Sequence, residues 1–109
     1  MPINYKVLGS TNPASATLAT VYTVPSSTQA VVSSICICNT NAASATYRLA
    51  VRINGATLAT NQYLAYDASV PANDTTVLTL GLGLGAGDVV SCYASTTGIA
   101  FNAFGTEKT

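Results

Sequence analysis

The sequence predicts an all-β fold, a single antiparallel β-sandwich of about eight strands with either jelly-roll or immunoglobulin-like connections. Three observations lead to this prediction. Apolar and polar residues alternate in several segments, most clearly over residues 47–54. Clusters of turn-forming residues recur at intervals of roughly 10 residues, and no window of useful length has the spacing of an amphipathic helix. The 109 residues suffice for one domain, with one core.

The strands are predicted from runs that are rich in β-branched and aromatic residues. Residues 30–38 are apolar or small on both faces, which is typical of a central strand covered on both sides. Over residues 47–54 the odd positions are large and apolar, so one face is expected in the core and the other in solvent. The other six strands are expected at residues 3–8, 17–24, 59–66, 75–82, 88–94 and 99–104.

Turn chemistry separates these strands. The dipeptide Asn54-Gly55 is the strongest signal for a tight turn. Asp67, Asp74 and Asp88 are expected at turns, where aspartate side chains accept hydrogen bonds from the nearby backbone. The alternating run 80–85 places leucine on one face of its strand and glycine on the other. The glycine face leaves a flat strip of backbone open to close approach by the second sheet or by another subunit.

Charged residues are scarce in this sequence. They make up 7% of the chain, the net charge is zero, and histidine and tryptophan are absent, whereas about a quarter of the residues of an average domain are charged. General acid–base and nucleophilic catalysis therefore lack their usual groups, and we expect no enzyme activity, no cofactor and no metal site. Neutrality disfavours nucleic-acid binding and favours self-association or docking onto another protein. No apolar run approaches the roughly 20 residues of a membrane-spanning helix, so no membrane partner is expected.

The three cysteines are expected to be buried and reduced. Cys36 and Cys38 lie two residues apart on one predicted strand, which is poor geometry for a disulfide between them. A bridge from either of them to Cys92 is the alternative. Short flexible ends are expected at about residues 1–4 and 105–109, and the lack of a secretory signal at the start of the sequence predicts folding in a cytoplasm.

Four residues are candidates for an interface: Arg48, Arg52, Tyr63 and Tyr66. The two arginines share the polar face of one predicted strand, which is either a solvated face or a docking face for an acidic neighbour. The two tyrosines lie three residues apart, so a regular strand would place them on opposite faces. One of them then points outward, as an interface anchor or as an ordinary surface tyrosine.

Several segments resemble small β-sandwich structural proteins of tailed bacteriophages, most closely those of cyanobacterial and marine phages. The resemblance covers roughly residues 5–105. It rests on residues 21–25, 30–35, 71–75 and 87–91, on Cys38-Asn39 and on Phe104-Gly105. No catalytic residue is implied by it.

This resemblance implies a virion protein that is assembled in the host cytoplasm. The role it favours is a capsid decoration or cement protein, which stabilises contacts between capsomers of the major capsid protein, as a homo-oligomer (dimer or trimer). An accessory structural subunit of the tail or baseplate is one alternative. A carbohydrate-binding or adhesin module is another, because tyrosine-rich β-sandwiches often bind sugars.

Overall fold

The computed structural model describes residues 3–109, which form eight β-strands and two short 3₁₀ turns. The 3₁₀ turns span Ile53–Gly55 and Thr60–Gln62. The strands are β1 (Ile3–Thr11), β2 (Ala19–Thr23), β3 (Gln29–Asn39), β4 (Ala45–Arg52), β5 (Tyr63–Val70), β6 (Thr75–Leu84), β7 (Val89–Ala94) and β8 (Ile99–Lys108). The predicted all-β class is confirmed.

The strands form two antiparallel four-stranded sheets. Sheet A has the order β1-β8-β3-β6, and sheet B has the order β2-β7-β4-β5. Every connection passes from one sheet to the other except the connection between β4 and β5, which are neighbours in sheet B. This strand order is that of the eight-stranded jelly roll. Of the two connection patterns that the sequence predicts, the structure therefore has the jelly-roll one.

The hydrophobic core lies between the two sheets. Sheet A contributes the fully buried side chains of Ile35, Ile37 and Phe101, and sheet B contributes Leu49. The ring of Tyr47 packs edge-on against Phe101, with ring centroids 6.3 Å apart. The inward positions of β4 therefore follow the alternation that the sequence predicts, and their burial is the main favourable term for the fold.

A hydrogen-bonded group of Lys6, Tyr22 and Glu107 joins the two sheets at one end of the sandwich, and we call this group the polar lock. The Tyr22 hydroxyl, in sheet B, donates a 2.5 Å hydrogen bond to Glu107 Oε2, and Lys6 Nζ lies 3.0 Å from Glu107 Oε1. These two donors lower the pKa of the Glu107 carboxyl below its ordinary value. Burial and the neighbouring carboxylate raise the pKa of Tyr22, so the proton stays on the tyrosine and the charge stays on the glutamate.

All four edge strands contain irregular pairing. The register shifts between Val7 and Gly9 in β1, between Thr20 and Tyr22 in β2, opposite Val32/Ser34 in β6, and twice in β5. Such bulges twist an edge and interrupt its row of free backbone N–H and C=O groups. The edges of both sheets are thus poor templates for the addition of another strand.

The segment between β4 and β5 differs from the prediction. Residues 59–62 are not part of a strand, and β5 begins at Tyr63. Asn54 does adopt the left-handed conformation of a tight turn, with φ 54°, but its turn lies within a longer connection and does not close a hairpin. Because β4 ends at Arg52, Ile53 leaves the core side on which the sequence placed it and is 65% exposed.

The ends of the described chain are paired in sheet A. Ile3 lies opposite Lys108 and Asn4 lies opposite Glu107. The prediction of flexible ends is therefore wrong for residues 3–4 and 105–108. Met1 and Pro2, which the same prediction included, lie outside the described residues.

The outer face of sheet A is not covered by any element of the described chain. We call this surface the open face; its exposed large hydrophobic side chains are Ile3, Tyr5, Val7, Val31, Val77 and Phe104. The central strand β3, predicted to be covered on both sides, is covered on one side within this chain. Cys36 and Cys38 lie half-buried on the open face, so the prediction of buried thiols holds for Cys92 and is wrong for these two. All three thiols are free, and neither predicted alternative bridge to Cys92 is present.

Candidate functional site

An arginine side chain is stacked between two tyrosine rings on the outer face of sheet B. The guanidinium carbon of Arg48, on β4, lies 4.3 Å from the ring centroid of Tyr66 and 4.3 Å from that of Tyr93. Tyr93 lies on β7, directly opposite Arg48, and Tyr66 lies on β5, on the other side of β4. Each ring face attracts the cation electrostatically, so both tyrosines hold the guanidinium in place.

Asp67 completes the environment of Arg48. Arg48 Nε donates to Asp67 Oδ1 at 2.7 Å, and the terminal nitrogen Nη2 donates to Oδ2 at 3.3 Å. This two-point contact raises the pKa of the guanidinium. Asp67 has a left-handed φ of 51° and lies at a register shift within β5, so the prediction that it sits at a turn is wrong. The other two aspartates do bond to turn backbone, Asp74 to Thr75 N and Asp88 to Gly85 N.

Tyr63 and Tyr66 lie on the same face of sheet B, contrary to the prediction. Their rings are in edge-to-face contact, with centroids 4.9 Å apart and an interplanar angle of 83°. The reason is a register shift: Ala50 pairs with Tyr63, whereas the preceding Leu49 pairs with Ala65. Leu64 is the extra residue, and it resets the alternation between the two tyrosines.

These side chains form what we call the arginine–tyrosine cluster: Arg48, Tyr63, Tyr66, Asp67 and Tyr93. A cleft of about 480 Å³ adjoins it. The rings of Tyr63 and Tyr66 form one wall of the cleft, and residues 58–60 of the β4–β5 connection form the other. Tyr66 is 59% exposed, so its ring is available to a partner or a ligand.

Arg52, the fourth predicted interface residue, does not join the cluster. Among residues 3–109, its Nε is the buried side-chain nitrogen without a hydrogen-bond partner. Ala50 separates the two arginines along β4 and is 1% exposed, although its position was expected in solvent; Tyr63 lies directly opposite it. Asp67 already neutralises the charge of Arg48, so this residue offers no unpaired charge to an acidic neighbour. The hypothesis of a two-arginine docking face is weakened accordingly.

Sequence reasoning missed two members of the cluster, Asp67 and Tyr93. A usable signal for Tyr93 is that it is the one aromatic residue among the small and aliphatic residues 89–94 of its predicted strand, so its polar tip is the group most expected to reach solvent. No signal was available for Asp67, since its position depends on a bulge that the sequence does not mark.

Neither a cluster of potential metal ligands nor a long apolar helix is present in the described part of the chain. Across residues 3–109, no group of three or more histidine, cysteine, aspartate or glutamate side chains is arranged to hold a metal ion. No helix in the same range has the length and apolar character that are needed to cross a membrane.

Comparison with known proteins finds no matching family model, no similar curated protein and no similar solved structure. The resemblance to phage structural proteins therefore stays a prediction.

Proposed function

We propose that this chain is a structural subunit of a bacteriophage particle, namely a decoration or cement protein that binds the capsid shell and stabilises contacts between capsomers of the major capsid protein. The observation that carries the proposal is the arginine–tyrosine cluster. Tyrosine and arginine are the residue types that, with tryptophan, contribute most to the energy of protein interfaces. Here they lie together on an exposed sheet face, beside a cleft that can accept a protruding side chain.

The cluster is ordered before any partner arrives. Arg48 is held by two rings and one carboxylate, so binding a partner would cost little additional side-chain entropy. Its charge is already paired, so covering the cluster would not leave an uncompensated charge in the interface. A preformed and internally neutralised patch suits a permanent structural contact.

The fold is compatible with this proposal, but it does not distinguish a capsid protein from a lectin. Jelly rolls are common in viral capsid proteins and in lectins, and one fold supports many functions. The phage assignment itself comes from the sequence resemblance. The cluster adds a candidate surface by which the subunit would dock.

The test is reconstitution on particles of the phage that encodes the chain. Particles stripped of the protein are mixed with the purified chain, and occupancy is measured by mass spectrometry and electron microscopy. Wild-type protein should rebind the shell, and Tyr66→Ala should lower the affinity roughly tenfold or more. Leu18→Ala is the matched control, because Leu18 is also exposed but precedes β2, at the opposite edge of sheet B.

The location of the density decides between the structural roles. Density on the capsid shell supports the decoration role, and density on the tail or baseplate replaces it with the accessory role. Absence of the protein from mature particles overturns both.

The cleft favours a carbohydrate-binding module as a second candidate. Aromatic rings beside an open cleft of this size can stack on the apolar face of a sugar ring, while the tyrosine hydroxyls and Thr60 supply hydrogen bonds. A glycan array distinguishes the two candidates. Binding that is lost in both Tyr63→Ala and Tyr66→Ala would support the carbohydrate role, and an array without binding would remove it.

A further inference from the structure

The open face has a ridge along one edge and a trough along the other. The strand register defines rows of outward residues across sheet A, and one row runs Tyr5, Thr106, Val31, Gly83. At the β1 edge, Ile3, Tyr5 and Val7 form the ridge, and Tyr5 is 84% exposed. At the β6 edge, Gly81 and Gly83 form the glycine trough. A side chain at either glycine would meet no atom within 4 Å.

The open face carries almost no charge. Within the described residues, the register places one charged side chain on it, Lys108, in the last row of the sheet. A charged partner would lose its hydration against this surface and gain no ion pair in return. The surface that complements the open face must itself be uncharged, and this chain presents one, the open face of a second copy.

The relief of the open face also complements itself. If two copies stack with a two-fold axis parallel to the strands, β1 of one copy lies over β6 of the other, and β8 lies over β3, with rows kept in line. Tyr5 of each copy then lies over Gly83 of the second copy, so the most exposed side chain of the ridge enters the trough at both edges, while Val7 lies over Thr79. A two-fold axis perpendicular to the strands would instead place ridge on ridge.

From this relief and this charge distribution, we infer that the open face is a homodimer interface in which two copies pack face to face about an axis parallel to the strands. The second copy supplies the cover that the apolar pattern of β3 predicts and that a single chain lacks. Strand addition at the sheet edges is the competing mode of self-association, and the irregular pairing of all four edge strands opposes it.

The size of the face sets the expected affinity. Four strands spaced about 4.8 Å apart give a patch of roughly 20 by 25 Å. This is at the small end of specific protein interfaces, so we expect a dissociation constant on the order of micromolar. The dimer forms in free protein, and its test is therefore separate from the test on phage particles.

The first experiment measures the dissociation constant of the full chain by sedimentation equilibrium. Tyr5→Ala removes the ridge, and Gly83→Val fills the trough; each should raise the dissociation constant roughly tenfold or more. Both variants should stay folded, because Tyr5 is almost fully exposed and valine at position 83 meets open space and suits a strand. Ile53→Ala, which truncates an exposed hydrophobic side chain in the β4–β5 connection and away from the open face, is the control that leaves the dissociation constant unchanged.

A charge exchange tests the direction of the two-fold axis. Tyr5→Lys and Gly83→Asp should each weaken the dimer, and the double variant should recover affinity, because the axis parallel to the strands brings position 5 over position 83 of the second copy. An equal loss of affinity in the double variant would overturn the proposed axis.

The native thiols give a second readout. Cys36 and Cys38 lie on the open face of β3, beside the midline of sheet A, so each should lie diagonally across the interface from the same residue of the second copy, with roughly 11 Å between the backbones from the spacings of strands and of stacked sheets. A bis-maleimide of that length should capture a dimer of the wild-type chain, and replacing both thiols in the Cys36→Ser, Cys38→Ser double variant should abolish the capture. A chain that is monomeric up to millimolar concentration, or a dimer that Tyr5→Ala and Gly83→Val leave unchanged, would overturn the inference.

Discussion

The outer faces of the two sheets are built in different ways. On sheet B, the connection between β4 and β5 contacts β4 and β7, Arg48 is fixed by three partners, and small outward residues such as Ala50 and Ser91 are buried. On sheet A, the outward residues of four strands are left bare and nearly uncharged. The comparison indicates that the polar groups of the cluster on sheet B are satisfied within the chain, whereas the apolar side chains on the outer face of sheet A receive no cover from the chain itself.

The largest expected effect is a loss of stability from a substitution at Gly105, where β8 and β3 of sheet A pack closely. A methyl group at Gly105 would clash with the backbone carbonyl of Val31 on the neighbouring strand β3. Backbone cannot yield as a flexible side chain can, so Gly105→Ala should lower the free energy of unfolding by about 3 kcal/mol or more. Chemical denaturation measures this change.

Gly83→Ala is the matched control for that substitution. It also adds one methyl group to a glycine of sheet A, but into open space. Because glycine is unfavourable inside a strand, we expect a gain of about 0.5 kcal/mol. Equal losses in the two variants would contradict the distinction between a packed and an open side of sheet A.

The lock between the sheets should respond to acid. The pKa of Glu107 is lower in the folded chain than its ordinary value of 4.5, so the unfolded chain binds this proton more tightly. The contribution of the lock is therefore complete above about pH 4.5 and is lost as the pH falls through the lowered native pKa. Thermal unfolding between neutral pH and pH 2 should show this loss in the wild type.

Glu107→Gln should remove that part of the acid dependence, while also lowering stability at neutral pH. Asp74→Asn, at the turn before β6, should retain the acid dependence contributed by Glu107. An unchanged acid profile in Glu107→Gln would mean that the lock does not couple the two sheets.

A smaller effect is expected from the cluster on sheet B. Arg48→Lys keeps the positive charge but loses the two-point contact with Asp67 and the flat stacking surface between Tyr66 and Tyr93. It should lower the melting temperature by less than Gly105→Ala does, and it should change the near-ultraviolet circular dichroism of the tyrosines. Arg52→Lys is the control on the same strand. An identical tyrosine signal in wild type and Arg48→Lys would show that the stacking is not rigid in solution.

The smallest expected effect is a difference in reactivity among the three thiols, which involves no change in stability. In dilute native protein, Cys36 and Cys38 on the open face should react with a thiol reagent well before Cys92, because burial raises the pKa of Cys92 to about 12. Counting fast and slow thiols with a chromogenic disulfide measures the difference. Three equally slow thiols would mean that the open face is covered even in the monomer.

The sequence predicted the number of strands and the approximate position of most of them, because alternation and turn chemistry are local signals. The inward side of β4 followed directly from its odd positions. The failures concern information that is not local. The bulge at Leu64 moved Tyr63 onto the same face as Tyr66, and the pairing of β1 with β8 ordered chain ends that were expected to be flexible.

The buried amide of Asn39 illustrates the same limit. Asn39 directly follows the predicted strand 30–38, and its side chain is almost fully buried at the end of β3, where it donates to the carbonyls of Ala43, Val70 and Pro71. Two of these acceptors are about thirty residues distant in the chain. The residues around Asn39 do not indicate these hydrogen-bond partners. The candidate site on sheet B likewise depends on the pairing of strands that are distant from one another in the sequence.

The bulged edges have a consequence for a chain with so few charges. Net neutrality removes the repulsion that keeps β-rich proteins from forming cross-β fibrils at high concentration. Interrupted edges in both sheets supply a steric safeguard in its place, since a regular incoming strand finds no long ladder to extend. Concentrated solutions of the folded chain should accordingly remain free of thioflavin-positive fibres.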